Sequence, residues 1–360
     1  MRRLPVYFVI DVSESMVGEP IAQVEEGMRA IIQELRSDPY ALETVFVGIL
    51  VFAGKPLLLT PLTELYKFYP PAFPIGSGTS LGEALRALMR EMDTSVQKTT
   101  MQAKGDWKPL IFLFTDGAPT DQPDAAIDAW NAKYRRQCSL IAVALGEGAN
   151  LSHLHALTPD VLRLKDATPE AFKQFFKWVT ASIKTTSASA TEGGQDGAQL
   201  APIIDGISLE KVDGNTLRKA GSATDENFAV LLAKCSTNRK PFLIKYTRRM
   251  RLNLDDVSTP QHITFDQSAY RLMGAYPIDE GQYQKLSAQQ APDSHISSDS
   301  LIGTPTCPCC GNQLGRVLCD CGNIHCAEGK DGETVRCPWC GTEGMLMESE
   351  SALDFSRRQG

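Results

Sequence analysis

Histidine is scarce in this sequence, with five in 360 residues. They are scattered, and no Ser/His/Asp or Cys/His order suited to nucleophilic catalysis stands out. No apolar run approaches the roughly 20 residues that a membrane helix needs. The opening "MRRLPVYFVID" places two arginines before an apolar run, as a secretion signal does, but Pro5 interrupts the run and Asp11 closes it without a small-residue cleavage site. The chain therefore reads as cytoplasmic and soluble, with no membrane partner. It also lacks an excess of positive charge: 36 Lys and Arg stand against 43 Asp and Glu, a net charge of −7. That balance gives no footprint for a phosphate backbone, and nucleic acid is not an expected partner. Cysteine is nearly absent ahead of residue 307, where only Cys138 and Cys235 occur, while eight more fall between Cys307 and Cys340. Dense, paired cysteines in a chain without a secretion signal point to metal ligands and not to disulfides.

What is present divides by pattern. Single cores rarely grow past about 250–300 residues, so a large unit and a smaller one are expected. Residues 1–183 alternate strand and helix signals. "PVYFVID" is continuously apolar, as a strand covered on both faces should be. "GEPIAQVEEGMRAIIQELRSD" spaces Ile21, Val24, Met28, Ile31, Ile32 and Leu35 as a helix does, with Pro20 suited to its first turn. Further strands ("VFVGILVFA", "PLLLT", "PLIFLFTDG", "SLIAVALG", with "VLRLK" as a short edge candidate) and helices follow in turn. The order predicts an α/β fold, a doubly wound and mostly parallel sheet with helices on both faces. Residues 184–199, "KTTSASATEGGQDGAQ", hold almost no bulky apolar residue and read as a flexible linker. Residues 200–300 suggest a small β-rich region, residues 301–346 a zinc-ribbon-like cysteine-rich domain, and residues 347–360 a tail.

Three segments of the α/β part end in hard oxygen ligands: "DVSES" after the first strand, "GSGTSLGEA" at a loop-to-helix junction, and "FTDGAPT" after a later strand. In an open parallel sheet such segments gather beyond the carboxyl ends of the strands. Together they offer Asp11, Ser13, Ser15, Thr79 and Asp116. Two carboxylates and three alcohols suit a hard divalent cation, Mg²⁺ or else Ca²⁺ or Mn²⁺. Few of the donors are anionic, which leaves a coordination position free for a carboxylate brought by a partner. "GSGTSLG" has neither the G-x-G-x-x-G spacing nor the Lys-Ser/Thr pair of a nucleotide loop. "TTMQAKGDWKP", with Trp107 and Lys108, is an insertion expected to end near this site. His153 and His155 read as helix-surface residues, and "KYTRRMR" as a solvated strand face.

The cysteines form two knuckles, "CPCCG" and "CPWCG", each a C-x-x-C closed by glycine. Two such turns make a tetrahedral four-thiolate zinc site, assigned here to Cys307, Cys310, Cys337 and Cys340. Between them "CDCGNIHC" supplies Cys319, Cys321, His325 and Cys326 for a second zinc ion, or as ordinary thiols; Cys309 is set aside. The adjacency of His325 and Cys326 does not fit a RING cross-brace. Closed four-ligand sites are structural, so zinc should fold this segment and not catalyse.

D-x-S-x-S, then Thr in a Gly-rich loop, then Asp in T-D-G resembles the metal-ion-dependent adhesion site of von Willebrand factor A domains. In that family the hydroxyls and the Thr bind metal directly, and the Asp residues do so directly or through water. The usual glycine between the two serines is Glu14 here, an extra charge beside the site. "MRRLPVYFVIDVSESMVGEPI", "SDPYALETVFVGILVF", "GTSLGEAL" and "GDWKPLIFLFTDGAPTD" resemble, more narrowly, the TerY branch of bacterial von Willebrand A proteins from tellurite-resistance clusters. "CPCCG…CDCGNIHC…CPWCG" is similar to the metal-binding domain of its longer members, with "CSTNRKPFLIKY" as a lead-in. This resemblance implies a non-catalytic adaptor in a stress response, partnered by a Ser/Thr protein kinase and a metal-dependent Ser/Thr phosphatase. A metal-dependent phosphoester hydrolase and thiolate sequestration of heavy metals are the alternatives.

Overall fold

The computed structural model describes residues 2–116, 118–145, 151–164, 168–191, 200–202, 209–211, 228–248, 251–253, 264–266, 269–288, 294–330, 332–349 and 351–357. The chain divides into two compact units. The first runs β1 (Leu4–Asp11), α1 (Glu19–Arg36), α2 (Pro39–Thr44), β2 (Val45–Phe52), β3 (Pro56–Glu64), α3 (Leu81–Ser95), β4 (Leu110–Thr115), α4 (Asp124–Lys133), β5 (Ser139–Leu145), α5 (Leu151–Leu157), β6 (Val161–Leu164), α6 (Pro169–Thr191) and β7 (Leu209–Lys211). Its sheet has the order β3-β2-β1-β4-β5-β6-β7. β2, β1, β4, β5 and β6 are parallel, and β3 and β7 close the two edges antiparallel. The strand order reverses at β1, whose neighbours are β2 on one side and β4 on the other. That reversal opens a crevice at the carboxyl ends of β1 and β4.

β1 is wholly buried because both of its faces are covered. Tyr7 and Val9 belong to a core with Leu85, Leu88, Trp130 and Leu154 of α3, α4 and α5. Phe8 points the other way and stacks on Phe112 and Phe114, and Phe114 in turn meets Phe175 and Phe176 of α6. α1 packs on α6 through Gly27. A Cβ at that position would sit 1.9 Å from the Phe176 ring, so only glycine permits this approach. Replacing a helix glycine gains about 1 kcal/mol of propensity, but overpacking costs about 1–3 kcal/mol. Gly27→Leu is thus expected to lower stability by about 1 kcal/mol, measured by urea denaturation.

α6 passes the boundary expected at residue 183 and continues to Thr191. Residues 184–191 are helix, and the rest of the expected linker, 192–199, lies outside the described residues. The Ser/Thr-rich composition misleads because its hydroxyls are satisfied locally. Thr180, Thr185 and Thr186 each donate to the carbonyl four residues earlier, and Ser187 is buried at 2.6 Å from the Thr44 hydroxyl. The insertion before β4 also differs from expectation. Trp107 donates its N–H to the Arg3 carbonyl, and its ring lies under the Arg2 guanidinium. These contacts place it at the amino end of β1, opposite the end that carries Asp11.

The second unit contains β8 (Phe228–Lys234), β9 (Pro241–Arg248), β10 (Arg251–Asn253), β11 (Thr264–Asp266), β12 (Tyr270–Pro277), α7 (Glu280–Leu286), β13 (Ser294–Ser297), β14 (Leu301–Ile302), β15 (Leu314–Leu318), β16 (Ile324–Ala327), β17 (Thr334–Arg336), β18 (Glu343–Met345) and β19 (Asp354–Arg357). Its main sheet is six-stranded, in the order β14-β12-β9-β8-β16-β15. Strands expected in a β-rich region (200–300) and strands expected in a separate cysteine-rich domain (301–346) therefore share one sheet and one core. The expected tail joins them as well: β19 pairs antiparallel with β13, and Phe355 is buried. In "KYTRRMR", Lys245 is buried, its ammonium against the Phe228 ring, so that part is no solvated face.

Candidate metal centres

The oxygen-rich site grows from the ends of β1 and β4. Asp11 is the last residue of β1 and fully buried. Its Oδ1 accepts the Ser13 N–H at 2.9 Å and its Oδ2 accepts the Thr115 hydroxyl at 2.7 Å. The two serine hydroxyls lie 2.9 Å apart, and Ser15 donates to Asp116 Oδ1 at 2.8 Å. Burial raises the Asp11 carboxyl to about 6 against the lowering effect of these hydrogen bonds, a cost that a nearby cation would remove. Glu14, between the serines, is buried as well.

Thr79 reaches the site by another route. Its N–H donates to Thr120 Oγ1 at 2.9 Å, and its carbonyl accepts the Thr120 N–H at 2.8 Å. The loop after β4 thus holds both Asp116 and Thr79. The Thr79 hydroxyl is buried and has no hydrogen-bond partner among the described residues. Buried polar atoms are rarely left unpaired. An orphaned alcohol tied to the loop that carries Asp116, taken with two further alcohols and two carboxylates, would fit a hard divalent cation at Asp11, Ser13, Ser15, Thr79 and Asp116. Such an ion would supply a Lewis-acidic contact for an incoming oxygen ligand.

Sequence reasoning missed the supports of this set. Thr115 orients Asp11, and Thr120 orients Thr79. Asp121 takes over the N-terminus of α3, where Ser80 makes no side-chain cap. Its Oδ2 accepts the Glu83 N–H at 3.2 Å. A Cβ on Gly82 would come within 2.8 Å of that oxygen, which explains the second glycine of "GTSLG". The available signal was a Thr-Asp pair after T-D-G, but Thr and Asp are common in any turn. Asp121→Ala is expected to cost about 1 kcal/mol of cap energy and to weaken divalent-cation affinity about tenfold to a hundredfold, measured by thermal unfolding and by titration calorimetry.

The sulfurs gather differently from expectation. Cys235, Cys307, Cys310 and Cys326 form one group and Cys319, Cys321, Cys337 and Cys340 another, each with ligand atoms within 4.8 Å of one another. The two knuckles therefore do not share an ion. The first is completed by Cys235, just after β8, and by Cys326 on β16, strands that run side by side. His325 is in neither group. Neighbouring residues of a strand point to opposite faces, so His325 and Cys326 cannot serve one ion; the His325 ring instead lies 3.0 Å from the Cys326 carbonyl through Nδ1. Cys235 was missed because it stands alone in sequence. Hydrogen bonding with Thr342 lowers the Cys340 thiol to about 6, while burial pushes Cys307 up. Four thiolates are the donor set of a closed structural zinc site, and both groups have it.

Residues 6–177 match the von Willebrand factor type A domain and residues 225–360 the TerY-C metal binding domain. The chain is a TerY-type von Willebrand A protein. Its A domain carries the oxygen site and its TerY-C domain both thiolate groups. Human inter-alpha-trypsin inhibitor heavy chain H6 is 26% identical over 159 residues, 42% of this chain but 12% of that protein. Among solved structures, proximal thread matrix protein 1 from the mussel byssus is 16% identical with a TM-score of 0.38, covering 51% of this chain and 48% of that one. A von Willebrand factor type A protein from Catenulispora acidiphila is also 16% identical, with a TM-score of 0.37, covering 51% of this chain and 43% of that one.

Proposed function

We propose that this TerY-type protein is a non-catalytic adaptor. Its A domain captures an acidic side chain of a partner through a divalent cation, Mg²⁺ in the first instance, at Asp11, Ser13, Ser15, Thr79 and Asp116. The TerY-C domain is a second docking surface whose fold zinc maintains. The observation that carries this reading is the buried, unpartnered Thr79 hydroxyl in an all-oxygen set at the sheet's switch point. With few anionic donors, the ion retains affinity for one more carboxylate. The family resemblance supports a Ser/Thr protein kinase and a metal-dependent Ser/Thr phosphatase as partners, in a cytoplasmic stress response. The test is affinity capture of those two enzymes from the native host with wild-type and Asp11→Ala bait. Capture lost on chelation, restored by Mg²⁺ and missing for the variant supports the reading. Capture indifferent to both overturns it, and phosphate-ester turnover that disappears in Asp11→Ala would replace it with a hydrolase.

A further inference from the structure

The two thiolate groups are built unlike each other. The inner group is part of the sheet. Cys235 follows β8 directly, Cys326 belongs to β16, and the two strands pair in parallel through Ile324 with Ala233 and His325 with Lys234. Cys235, Cys307 and Cys326 are buried in one core with Phe242, Ile244 and Tyr246. Ser236 donates its N–H to the Cys326 sulfur at 3.2 Å. Cys310 alone of the four is exposed; reaching the other three sulfurs from solvent requires the sheet to open.

The outer group hangs from the sheet by one side. Cys319 and Cys321 leave the end of β15, and Cys337 and Cys340 follow β17. β17 and β18 form a two-stranded sheet of their own. Of the four cysteines only Cys337 is buried; Cys321 and Cys340 are exposed. The hairpin contributes nothing to the core named above, and Met345 and Met347 are 66% and 78% exposed. Trp339 ties it back, donating its indole N–H to the Ile324 carbonyl at 2.8 Å beneath the Lys234 ammonium. An isolated two-stranded hairpin is marginal in water, so the four thiolates must supply most of its order.

We propose that the outer group is an exchange site. It takes up and releases a soft, thiophilic divalent cation such as Zn²⁺ as the free concentration changes, and the hairpin of residues 334–345 orders and loosens with it. The inner group keeps its ion for as long as the domain is folded. The physical basis is access: a competing ligand can replace the exposed Cys340 and Cys321 thiolates in turn, whereas at the inner group only Cys310 is exposed and the ion stays held by three buried sulfurs that are reached only by global opening. The choice of cation class follows from the all-sulfur donor set. The proposal rests on both groups being four-thiolate metal sites.

The test uses the full chain loaded with Zn²⁺ in excess Mg²⁺, so that the oxygen site of the A domain takes up no zinc and the count is of the thiolate groups alone. Native mass spectrometry counts two equivalents at the outset; fewer overturns the two-site reading and the proposal with it. Excess EDTA is then added, and zinc loss and amide exchange are followed together. One equivalent should leave at least about a hundredfold faster than the other, with protection falling first over β17 and β18 while β8, β9 and β16 keep theirs. Cys340→Ser should hold one equivalent with the protection of those sheet strands unchanged. Loss of both equivalents at one rate, or collapse of sheet protection in Cys340→Ser, overturns the proposal while leaving the two sites standing.

Discussion

Asp116→Ala is expected to reduce divalent-cation affinity at the A-domain site by at least about a hundredfold, beyond what loss of a supporting group produces, with no loss of stability in the metal-free protein. Asp116 accepts the Ser15 hydroxyl and shares a buried crevice with Asp11. Without a cation, two carboxylates in one low-dielectric site disfavour each other's charge. Removing one deletes a hydrogen bond worth about 1 kcal/mol but also relieves that repulsion, so the two effects roughly offset. With the cation, the same change removes one of two anionic ligands. Calorimetric titration with Mg²⁺ or Mn²⁺, paired with thermal unfolding in EDTA, separates the two. A fall in metal-free stability equal to the lost binding energy would mean that Asp116 is a folding residue and no ligand.

Cys235→Ser should have the largest structural effect. Its sulfur is buried at the end of a central strand, inside the core. Structural zinc contributes about 10–16 kcal/mol to folding in small zinc-finger peptides, comparable with the whole stability of a typical domain, about 5–15 kcal/mol. Loss of the inner ion should therefore abolish the cooperative transition of the TerY-C domain while the A domain melts as before. The TerY-C transition surviving with both zinc ions bound would show that Cys235 is a buried thiol beside a three-ligand site, and its surviving with one zinc fewer would show that the inner ion does not hold the domain together.

The first unit was legible because its chemistry is local in sequence. "PVYFVID" could only be a strand covered on both faces, and D-x-S-x-S, Thr79 and T-D-G each sit where a parallel strand or a helix must begin or end. The supporting residues were less legible. Thr120 and Asp121 act on backbone N–H groups 41 and 38 positions away, and only the fold makes those neighbours. In the second unit the knuckle glycines marked the turns correctly, yet pairing knuckle with knuckle by resemblance in sequence gave the wrong partners. Which sulfurs meet is decided by the parallel pairing of β8 with β16, a long-range event with no spacing signature. Domain limits failed for a similar reason. The Ser/Thr run after residue 183 satisfies its hydroxyls within α6, and the polar tail is recruited by two apolar residues, Leu353 and Phe355, that composition averages away.

The central claim is that residues from three separate loops hold one hard cation with a position left for an outside oxygen. It is tested most directly by a crystal structure of the A domain grown with Mn²⁺ and acetate, using anomalous scattering to place the metal. The account predicts one Mn²⁺ bonded to Ser13, Ser15 and Thr79, with Asp11 and Asp116 bonded directly or through water and a water or acetate oxygen at the remaining position. Manganese bound elsewhere, or a coordination sphere completed by the protein's own Glu14, would contradict it.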